Sequence, residues 1–335
     1  MKTLITGITG RIGSQLAHKL VEAGHDVRGL VWPQDPTVER LAGLPIELIE
    51  GSLTNADDVN RAVAGVEAVC HLGAAFQAGG PFTNDDYMEI NVKGTFYMLE
   101  AAVAKRASLR HFFFASSDAL YDKYLPDGIP EPIREDEFPL EPGGMYALTK
   151  LLGEDLCRGY LRTHGLPVTI FRFAMTLGGA EILNWPQFYA AHYAKAYANK
   201  TSPGAKAVYA QLQAALADNP KTLIIARDEN GRAYKKHIAH ADDIVAGFPA
   251  AMGKSEAVGG TFQLAAPAPF AWDDAVPYLA GKLNLPYIDL RLVDATPTFY
   301  EFDLSASREK LGYAPQYHIQ RMIDAALENG VENKA

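Results

Sequence analysis

Cysteine is scarce in this sequence, and its scarcity excludes several kinds of fold. The 335 residues include only Cys70 and Cys157, which are too few for a disulfide framework and lack metal-ligand spacing. We therefore expect a reducing compartment, two buried thiols that pack as small hydrophobic side chains, and no metal site.

Long apolar runs and long basic runs are also missing. No apolar stretch reaches the ~18 residues of a membrane span, and the N-terminal MKTLITGITG lacks the apolar segment of a secretory signal. The formal net charge is −9, and the absence of a basic run argues against nucleic acid or an anionic membrane as the main partner. The sequence predicts a cytoplasmic protein that binds a small-molecule substrate.

Short β-rich runs alternate with helical patterns through the first half of the chain. The predicted strands are KTLIT, HDVRGLVW, IELIEGS, VEAVCHL, RHFFFASS and LPVTIFRF, and the predicted helices cover 11–23, 56–64, 86–106 and 145–164. Such alternation is typical of a parallel sheet covered by helices on both faces. We predict an α/β fold with a Rossmann-type doubly wound sheet and a dinucleotide-binding domain over 1–178.

The pattern changes in the second half, which we predict to be a smaller mixed region, 179–335, that mostly binds substrate. Residues 185–218 indicate one or two helices broken near TSPG, and two further helices are predicted near 306–311 and 318–329. Strands near 222–226 and 261–266 are predicted to return to the first domain or near it.

Three glycines stand where the first strand turns into the first helix. In TGITGRIG they are Gly7, Gly10 and Gly13, with Arg11 and Ile12 opening the helix. Glycines at this place allow a tight turn and let a pyrophosphate approach the free N–H groups of the helix. We predict that these residues bind a dinucleotide; the alternative is a purely structural turn.

The acid expected at the end of the second strand is absent. That strand ends at Val31 and Trp32, so no carboxylate there repels a 2′-phosphate. NADP is therefore favoured over NAD, with Arg11 or Arg28 as its phosphate ligand. In the alternative, Asp35 binds the ribose from the following loop, and Arg11 is a solvated side chain.

Small and hydroxyl side chains follow two further strands. Leu72, Gly73 and Ala74 end the fourth strand, and Ser117 ends the fifth. Ligands bind at the carboxyl edge of a parallel sheet, so we predict a cofactor beside 72–74 and a substrate oxygen at the Ser117 hydroxyl. Tight chain packing is the alternative for the small residues.

A tyrosine and a lysine four residues apart lie on one face of the predicted helix over 145–164. Tyr146 and Lys150 place a phenol beside an ammonium, a candidate acid/base pair. Tyr278 and Lys282 repeat the spacing, and chance alone produces about one such pair in a chain of this composition. Only the first pair follows a strand that ends in serine, which favours Tyr146.

The motifs TGITGRIG, HLGAA, NVKGT, ASSDALY, YALTK, FRF and HADDI occur in this order. Together they resemble the extended short-chain dehydrogenase/reductases, the NAD(P)-dependent sugar epimerase/dehydratase group. The resemblance implies that Ser117, Tyr146 and Lys150 are catalytic and that Lys150 also contacts the nicotinamide ribose. It places Asn91 in a helix motif where a structural role and a catalytic role are equally open.

The substrate side departs from the resembling family. Met175 stands where an asparagine commonly contacts a nucleotide diphosphate, Lys236 stands where an arginine is common, and Asp118 is followed by alanine rather than a second acid. We predict that Ser117, Asp118, Met175 and Lys236 contact substrate, and the departures put a nucleotide-sugar substrate in doubt.

Three functions stay open at this point. The first is an NAD(P)-dependent oxidoreductase or epimerase acting on a hydroxyl-bearing carbon of a polar, sugar-type substrate. The second is a simple dehydrogenase or reductase of a small, non-nucleotide carbonyl compound, and the third is a non-catalytic dinucleotide-binding regulator. The resemblance also implies a homodimer built on the helices near 86–106 and 145–164.

Overall fold

The computed structural model describes residues 1–76, 80 and 82–332, with side chains described as far as residue 328. Its strands are β1 (Lys2–Thr6), β2 (Asp26–Val31), β3 (Glu47–Glu50), β4 (Ala68–His71), β5 (His111–Ser117), β6 (Val168–Phe173), β7 (Thr176–Leu177), β8 (Leu223–Arg227), β9 (Lys235–Lys236), β10 (Ala239–His240), β11 (Thr261–Leu264), β12 (Phe270–Ala271) and β13 (Tyr287–Arg291). Its α-helices are α1 (Arg11–Glu22), α2 (Ala56–Val63), α3 (Asn84–Tyr87), α4 (Gly94–Ala104), α5 (Met145–His164), α6 (Ala190–Tyr197), α7 (Pro203–Asp218), α8 (Ala241–Ala251), α9 (Trp272–Leu283), α10 (Ser305–Leu311) and α11 (Ile319–Glu332).

The central sheet of the described chain has seven strands in the order β11-β6-β5-β4-β1-β2-β3, and all neighbours pair in parallel. The chain runs from β1 outward to β3 and then returns to place β4 on the other side of β1. This reversal opens a crevice between the carboxyl ends of β1 and β4, where Thr6 is paired with His71.

Helices cover both faces of this sheet. On one face α1 packs against α8, and on the other α4 packs against α2 and α5. Each face has its own buried cluster: Leu16, Leu20 and Phe248 belong to the first, and Met98 and Leu99 to the second. The predicted fold class, a doubly wound α/β sheet with a smaller mixed C-terminal region, is confirmed.

The C-terminal region is built on a third buried cluster, which includes Trp185, Phe188 and Trp272. The predicted strand near 261–266 is β11, which joins the central sheet beside β6. The prediction for 222–226 needs correction, because β8 pairs with β13 in a sheet outside the central one. The residues of β8 are buried against α9 and the third cluster, and β11 already occupies the edge of β6.

The helical prediction for 185–218 resolves into α6 and α7, and Ser202 caps α7 by accepting a hydrogen bond from the Ala205 amide at 3.0 Å. Among the longer elements, the sequence analysis missed α8, α9 and β13, and it also missed the two-residue strands β7, β9, β10 and β12. The two helices contain Pro249 and Pro277, which lower helix propensity, and burial of their apolar faces compensates for this.

Cys70 and Cys157 are free and buried, as the sequence predicts. Within the described part of the chain, no helix is both long enough and apolar enough to cross a membrane.

Candidate active site

The glycine loop between β1 and α1 is shaped by two close backbone contacts. Gly7 has a φ of +66°, and a Cβ on it would lie 2.8 Å from the amide nitrogen of Gly73. A Cβ on Gly13 would lie 2.1 Å from the carbonyl oxygen of Gly7. Side chains at these positions are therefore excluded, and the start of α1 stays open to an approaching anion.

Gly10 precedes α1 and has no side chain that could cap the helix. The free N–H groups of the first turn are thus left for a ligand, which is the arrangement that binds a pyrophosphate. Ile12 is half-buried against the hydrophobic cluster on this face of the sheet. The loop fits a dinucleotide, while the assignment of individual cofactor ligands stays a prediction.

The small residues after β4 lie against the same loop. The amide of Gly73 donates to the Thr6 hydroxyl at 3.0 Å, and a Cβ on Gly73 would lie 2.8 Å from Leu53. Leu72 and Ala74 are partly exposed on either side of it. Residues 72–74 therefore border the β1–β4 crevice, where we predict the cofactor.

The loop after β2 brings a carboxylate to the glycine loop. Asp35 accepts hydrogen bonds from the Thr9 hydroxyl at 2.6 Å and from the Thr37 amide at 2.8 Å. Burial alone would raise the pKa of Asp35, but the hydrogen bonds from Thr37 and Thr9 and the nearby Arg40 lower it below its ordinary value. A stable negative charge thus lies beside Thr9.

Arg28 was wrongly predicted as a candidate ligand for a 2′-phosphate. Its guanidinium is buried and pairs with Glu47 on the neighbouring strand, with the Nε and Nη2 atoms at 2.9 and 3.1 Å from the carboxylate oxygens. Its Nη1 donates to the carbonyl of Ala62 at 2.9 Å. These bonds direct Arg28 toward α2 and away from the glycine loop.

Arg11 is engaged within the chain as well. Its Nη1 donates to the carbonyl of Thr176 at 2.7 Å, and its Nη2 pairs with Glu181. The pair is partly exposed, so exchange with a bound phosphate costs little. Arg11 as a cofactor ligand stays a prediction.

Tyr146 and Lys150 lie on the first turns of α5, beneath the carboxyl end of β5. The Lys150 ammonium is 5.9 Å from the centroid of the Tyr146 ring and donates to the carbonyl of Ala115 at 2.8 Å. Burial lowers the pKa of Lys150 to about 8. The structure therefore brings the predicted pair and the end of β5 together.

The Tyr146–Lys150 spacing by itself suggests that the ammonium lowers the pKa of the phenol, but this pKa is raised. Burial is the largest cause, the neighbouring Asp118 raises the pKa further, and interaction with Ser117 only partly offsets these effects. Lys150 directs its hydrogen bond at the Ala115 carbonyl rather than at the phenol. Ser117 accepts a hydrogen bond from the Ala119 amide at 3.1 Å, so its hydroxyl is held at the same edge.

Asn91 has a structural role in this arrangement. It lies in a π-helical segment, Met88–Lys93, and its side-chain oxygen accepts from the Ala75 amide at 2.7 Å. Its side-chain nitrogen donates to the Ala75 carbonyl at 3.1 Å and to the Thr149 hydroxyl at 3.0 Å. Asn91 thus ties the segment after β4 to the helix that carries Lys150.

A buried ionic network that the sequence analysis missed fixes α5 against the sheet. Glu154, one turn after Lys150, pairs with Arg172 of β6 at 2.7 Å and accepts from the Ser116 hydroxyl at 2.6 Å. Arg172 also donates to the Tyr121 hydroxyl at 2.7 Å. Removing one partner of such a buried pair costs roughly 3–5 kcal/mol, so this network positions the helix of Tyr146 firmly.

The predicted substrate contacts gather beside Ser117. The Oδ2 of Asp118 accepts from the Met175 amide at 3.3 Å and lies 3.2 Å from the Lys123 ammonium. Lys236 is only 1% exposed and donates to Gln187 at 3.1 Å. Lys123 and Gln187 were not singled out from the sequence, although Lys123 lies only six residues after Ser117.

Comparisons with known proteins find both related sequences and similar structures. A family model described as the NAD dependent epimerase/dehydratase family matches residues 3–265. The curated relatives include GDP-mannose 3,5-epimerase 1 of Oryza sativa subsp. japonica, 30% identical over 178 residues, a match that covers 52% of this chain and 46% of the relative. The chain thus spans about half the length of the curated relatives it matches.

The solved structures that match over the whole chain include the following two. A short-chain dehydrogenase/reductase superfamily protein from Agrobacterium tumefaciens with bound NAD is 33% identical, with a TM-score of 0.81, over 100% of this chain and 98% of that one. UDP-glucuronic acid 4-epimerase from Bacillus cereus in complex with NAD is 19% identical, with a TM-score of 0.72, over 100% of both chains. The second likeness concerns the fold alone.

Proposed function

The chain belongs to the NAD dependent epimerase/dehydratase family, which confirms the resemblance in its motifs, and on that premise we propose an NAD-dependent oxidoreductase or epimerase. It acts on a hydroxyl-bearing carbon of a polar, sugar-type substrate. The observation that carries the proposal is the placement of Tyr146 and Lys150 on one face of α5, next to Ser117 at the end of β5. The β1–β4 crevice with its glycine loop supplies the neighbouring cofactor site.

Each of the three side chains has a defined task. Bound NAD, held by the glycine loop and residues 72–74, supplies the hydride acceptor and donor. The raised pKa of Tyr146 keeps its phenol protonated at neutral pH, so it has a proton to give to a carbonyl oxygen that is being reduced, and it is left as phenolate. In the oxidative direction only the phenolate can take the proton of the substrate hydroxyl, so the phenol first loses its own proton to solvent; the positive charge of Lys150 favours that phenolate. Ser117 orients the reacting oxygen.

We propose NAD rather than NADP as the cofactor, in contrast to the preference drawn from the sequence. Asp35 lies beside the glycine loop with a lowered pKa, and its carboxylate repels a 2′-phosphate. Arg28 has a buried partner elsewhere, so of the two arginines only Arg11 could meet a 2′-phosphate. The Agrobacterium relative contains NAD, which supports the same choice.

Titration of the protein with both dinucleotides tests the cofactor. We expect NAD to bind at least ~10-fold more tightly, a difference of about 1.4 kcal/mol, and Asp35→Asn to narrow this gap. Asp26→Asn, which removes an exposed carboxylate at the opposite end of β2, is the matched control. Tighter binding of NADP, or a preference unchanged in Asp35→Asn, contradicts the assignment.

A simple dehydrogenase of a small, non-nucleotide compound is the second candidate, and the burial of Lys236 favours it.

The reaction type is tested by following absorbance at the NADH band while candidate substrates are added to protein and NAD. Net reduction of NAD indicates a dehydrogenase, whereas product without net reduction indicates an epimerase. Tight NAD binding with no turnover of any polyol, sugar or sugar derivative would favour the regulatory alternative.

A homodimer is part of the proposal and rests on the helices α4 and α5. Phe96 and Leu148 are 40% and 38% exposed on them, so they are available to a second copy. Met98, which also lies on α4, is buried within the chain and is unavailable to a partner. Light scattering at micromolar concentration tests the assembly, and a species of 36.4 kDa alone would contradict it.

A further inference from the structure

Two lysines are buried next to the candidate catalytic residues, and one carboxylate neutralises only one of them. Lys123 is 5% exposed and Lys236 is 1% exposed. The Lys123 ammonium donates to the Asp118 carbonyl at 2.6 Å and lies 3.2 Å from the Asp118 carboxylate. Lys236 has a neutral partner, Gln187. The cluster therefore holds one excess positive charge in a place shielded from water.

The two ammonium groups lie over the same aromatic ring. Both lie over the ring of Tyr124, at 5.6 Å for Lys123 and 5.8 Å for Lys236. The Lys236 ammonium is also 5.1 Å from the ring of Trp185. Asp118, which lies 3.2 Å from Lys123, directly follows Ser117 at the end of β5, so the cluster is continuous with the candidate catalytic residues.

An uncompensated buried charge is costly, and proteins keep one where a ligand of opposite charge completes it. Lys236 carries three N–H donors, and Gln187 accepts from one of them. Among the described residues, Asp118 is the only carboxylate bonded to either lysine. The missing partner is thus a single negative charge that also accepts hydrogen bonds.

We propose that Lys123 and Lys236 form a subsite for a carboxylate, so that the substrate is a small hydroxy acid or sugar acid whose reacting carbon lies beside Tyr146. This inference rests on the proposed function and specifies its substrate class. A carboxylate supplies one negative charge and two acceptor oxygens, which match the excess charge and the free donors of Lys236. A nucleotide diphosphate fits less well, because it carries more than one negative charge where the cluster has one positive charge in excess.

The test measures binding first, so that it does not depend on turnover. Calorimetric titration of the protein–NAD complex uses four probes: galacturonate, galactose, galactose 6-phosphate and UDP-galactose. We expect galacturonate to bind more tightly than galactose by about 10–150-fold, the range that a charge-assisted hydrogen bond supplies. Tightest binding of the phosphate ester or of the nucleotide sugar would overturn the carboxylate assignment.

Variants connect this selectivity to the lysines. Lys236→Gln removes the excess charge while keeping a side chain that can bond to Gln187, and it should weaken galacturonate binding by a similar factor while leaving galactose binding unchanged. Lys236→Arg should restore part of the affinity. Lys235→Gln is the matched control, because Lys235 is adjacent in sequence but pairs with Glu301 at 2.8 Å.

Lys123→Met leaves Asp118 without its partner and can destabilise the fold, so Lys236→Gln decides the question. Unchanged galacturonate affinity in Lys236→Gln would overturn the subsite even if the protein turns over another sugar, and the proposed function would then stand. Lysine-dependent binding of galacturonate with neither reduction of NAD nor formation of an epimer would support the subsite and count against the proposed reaction.

Discussion

The two Tyr–Lys pairs of this chain share one local sequence spacing and have opposite surroundings. On α5, Lys150 is 5% exposed and bonds to the backbone carbonyl of Ala115. On α9, the Lys282 side chain is 40% exposed and pairs with Asp324 at 2.6 Å. The Tyr278 hydroxyl donates to the same carboxylate at 2.7 Å.

These surroundings shift the two lysine pKa values in opposite directions. Burial lowers the pKa of Lys150, whereas the hydrogen bond to Asp324 raises that of Lys282. In the second pair a carboxylate neutralises the cation and occupies the phenol, so neither group is available to a substrate. The difference teaches that i,i+4 spacing only brings two side chains to one helix face, and the neighbouring elements decide whether they can do chemistry.

The largest expected effect is on turnover in Tyr146→Phe. Removing the hydroxyl deletes the proposed proton donor and acceptor, so we expect the rate to fall by about 10²–10⁴-fold, the range that general acid/base catalysis supplies. The fold and the affinity for NAD should persist, because one oxygen is lost from a cleft. Steady-state rates, circular dichroism and NAD titration measure these three quantities.

Tyr278→Phe is the control for this experiment, and we expect its rate to stay within a few-fold of the unmodified protein. Equal losses in the two variants, or full activity in Tyr146→Phe, would show that the strand position of α5 does not distinguish the pairs.

The second effect concerns Lys150→Ala, which should reduce both turnover and NAD affinity. Turnover falls because the phenolate of Tyr146 loses a stabilising charge, and affinity falls if Lys150 contacts the cofactor ribose as the family resemblance implies. The double variant Tyr146→Phe/Lys150→Ala should lose far less than the product of the single losses, since residues that act as a unit are not additive. Lys282→Ala should change neither quantity, and strictly multiplicative losses in the double variant would count against a coupled pair.

How much of this site the sequence predicts depends on the range of the interactions involved. The glycine loop, the strand ends and the Tyr146–Lys150 spacing are local patterns, and they led to the confirmed fold class and to one consistent site. The partners of Arg28 and Lys236 come from distant segments. Arg28 pairs with Glu47 on another strand, and Lys236 donates a hydrogen bond to Gln187 in the C-terminal region. No local pattern reveals such contacts.

The pKa of Tyr146 is a second case that the sequence could not resolve. The spacing alone places an ammonium near the phenol and suggests a lowered pKa. Burial, which depends on the whole fold, outweighs that influence and raises the pKa.

The third effect is on the pH dependence of stability and follows from the pKa of Lys150. In the folded protein this pKa is about 8, against an ordinary value of 10.5, so between these values the unfolded chain binds more protons. Lys150 therefore contributes a rise in the free energy of unfolding with pH in this window, by at most about 1.4 kcal/mol per pH unit. Cys70 and Cys157, whose pKa values burial raises, contribute a change of the opposite sign that is common to all the variants. Lys150→Met should flatten the rise in urea unfolding experiments between pH 8 and 9.5.

Burial also lowers the pKa of Lys236 to about 8. Lys236 therefore adds the same rise in the free energy of unfolding with pH to every variant, and this rise cancels when variants are compared. Lys282→Met should keep the full slope, because a raised pKa leaves Lys282 protonated in both states over this range. A slope in Lys150→Met equal to that of the unmodified protein would mean that Lys150 titrates normally.

The smallest effect is expected at Asp324, the partner of the exposed Tyr278–Lys282 pair. Asp324→Asn breaks the hydrogen bond from Tyr278 and the ion pair with Lys282, but exposed ion pairs contribute little to stability. We expect the melting temperature to fall by less than about 2 °C and turnover to stay unchanged, as measured by differential scanning calorimetry and steady-state rates.

Glu154→Gln is the contrasting variant on α5: it weakens the buried contact with Arg172 and should lower the melting temperature several times more. A larger fall in melting temperature in Asp324→Asn than in Glu154→Gln would mean that the contacts of the α9 pair contribute more to stability than the buried network of α5.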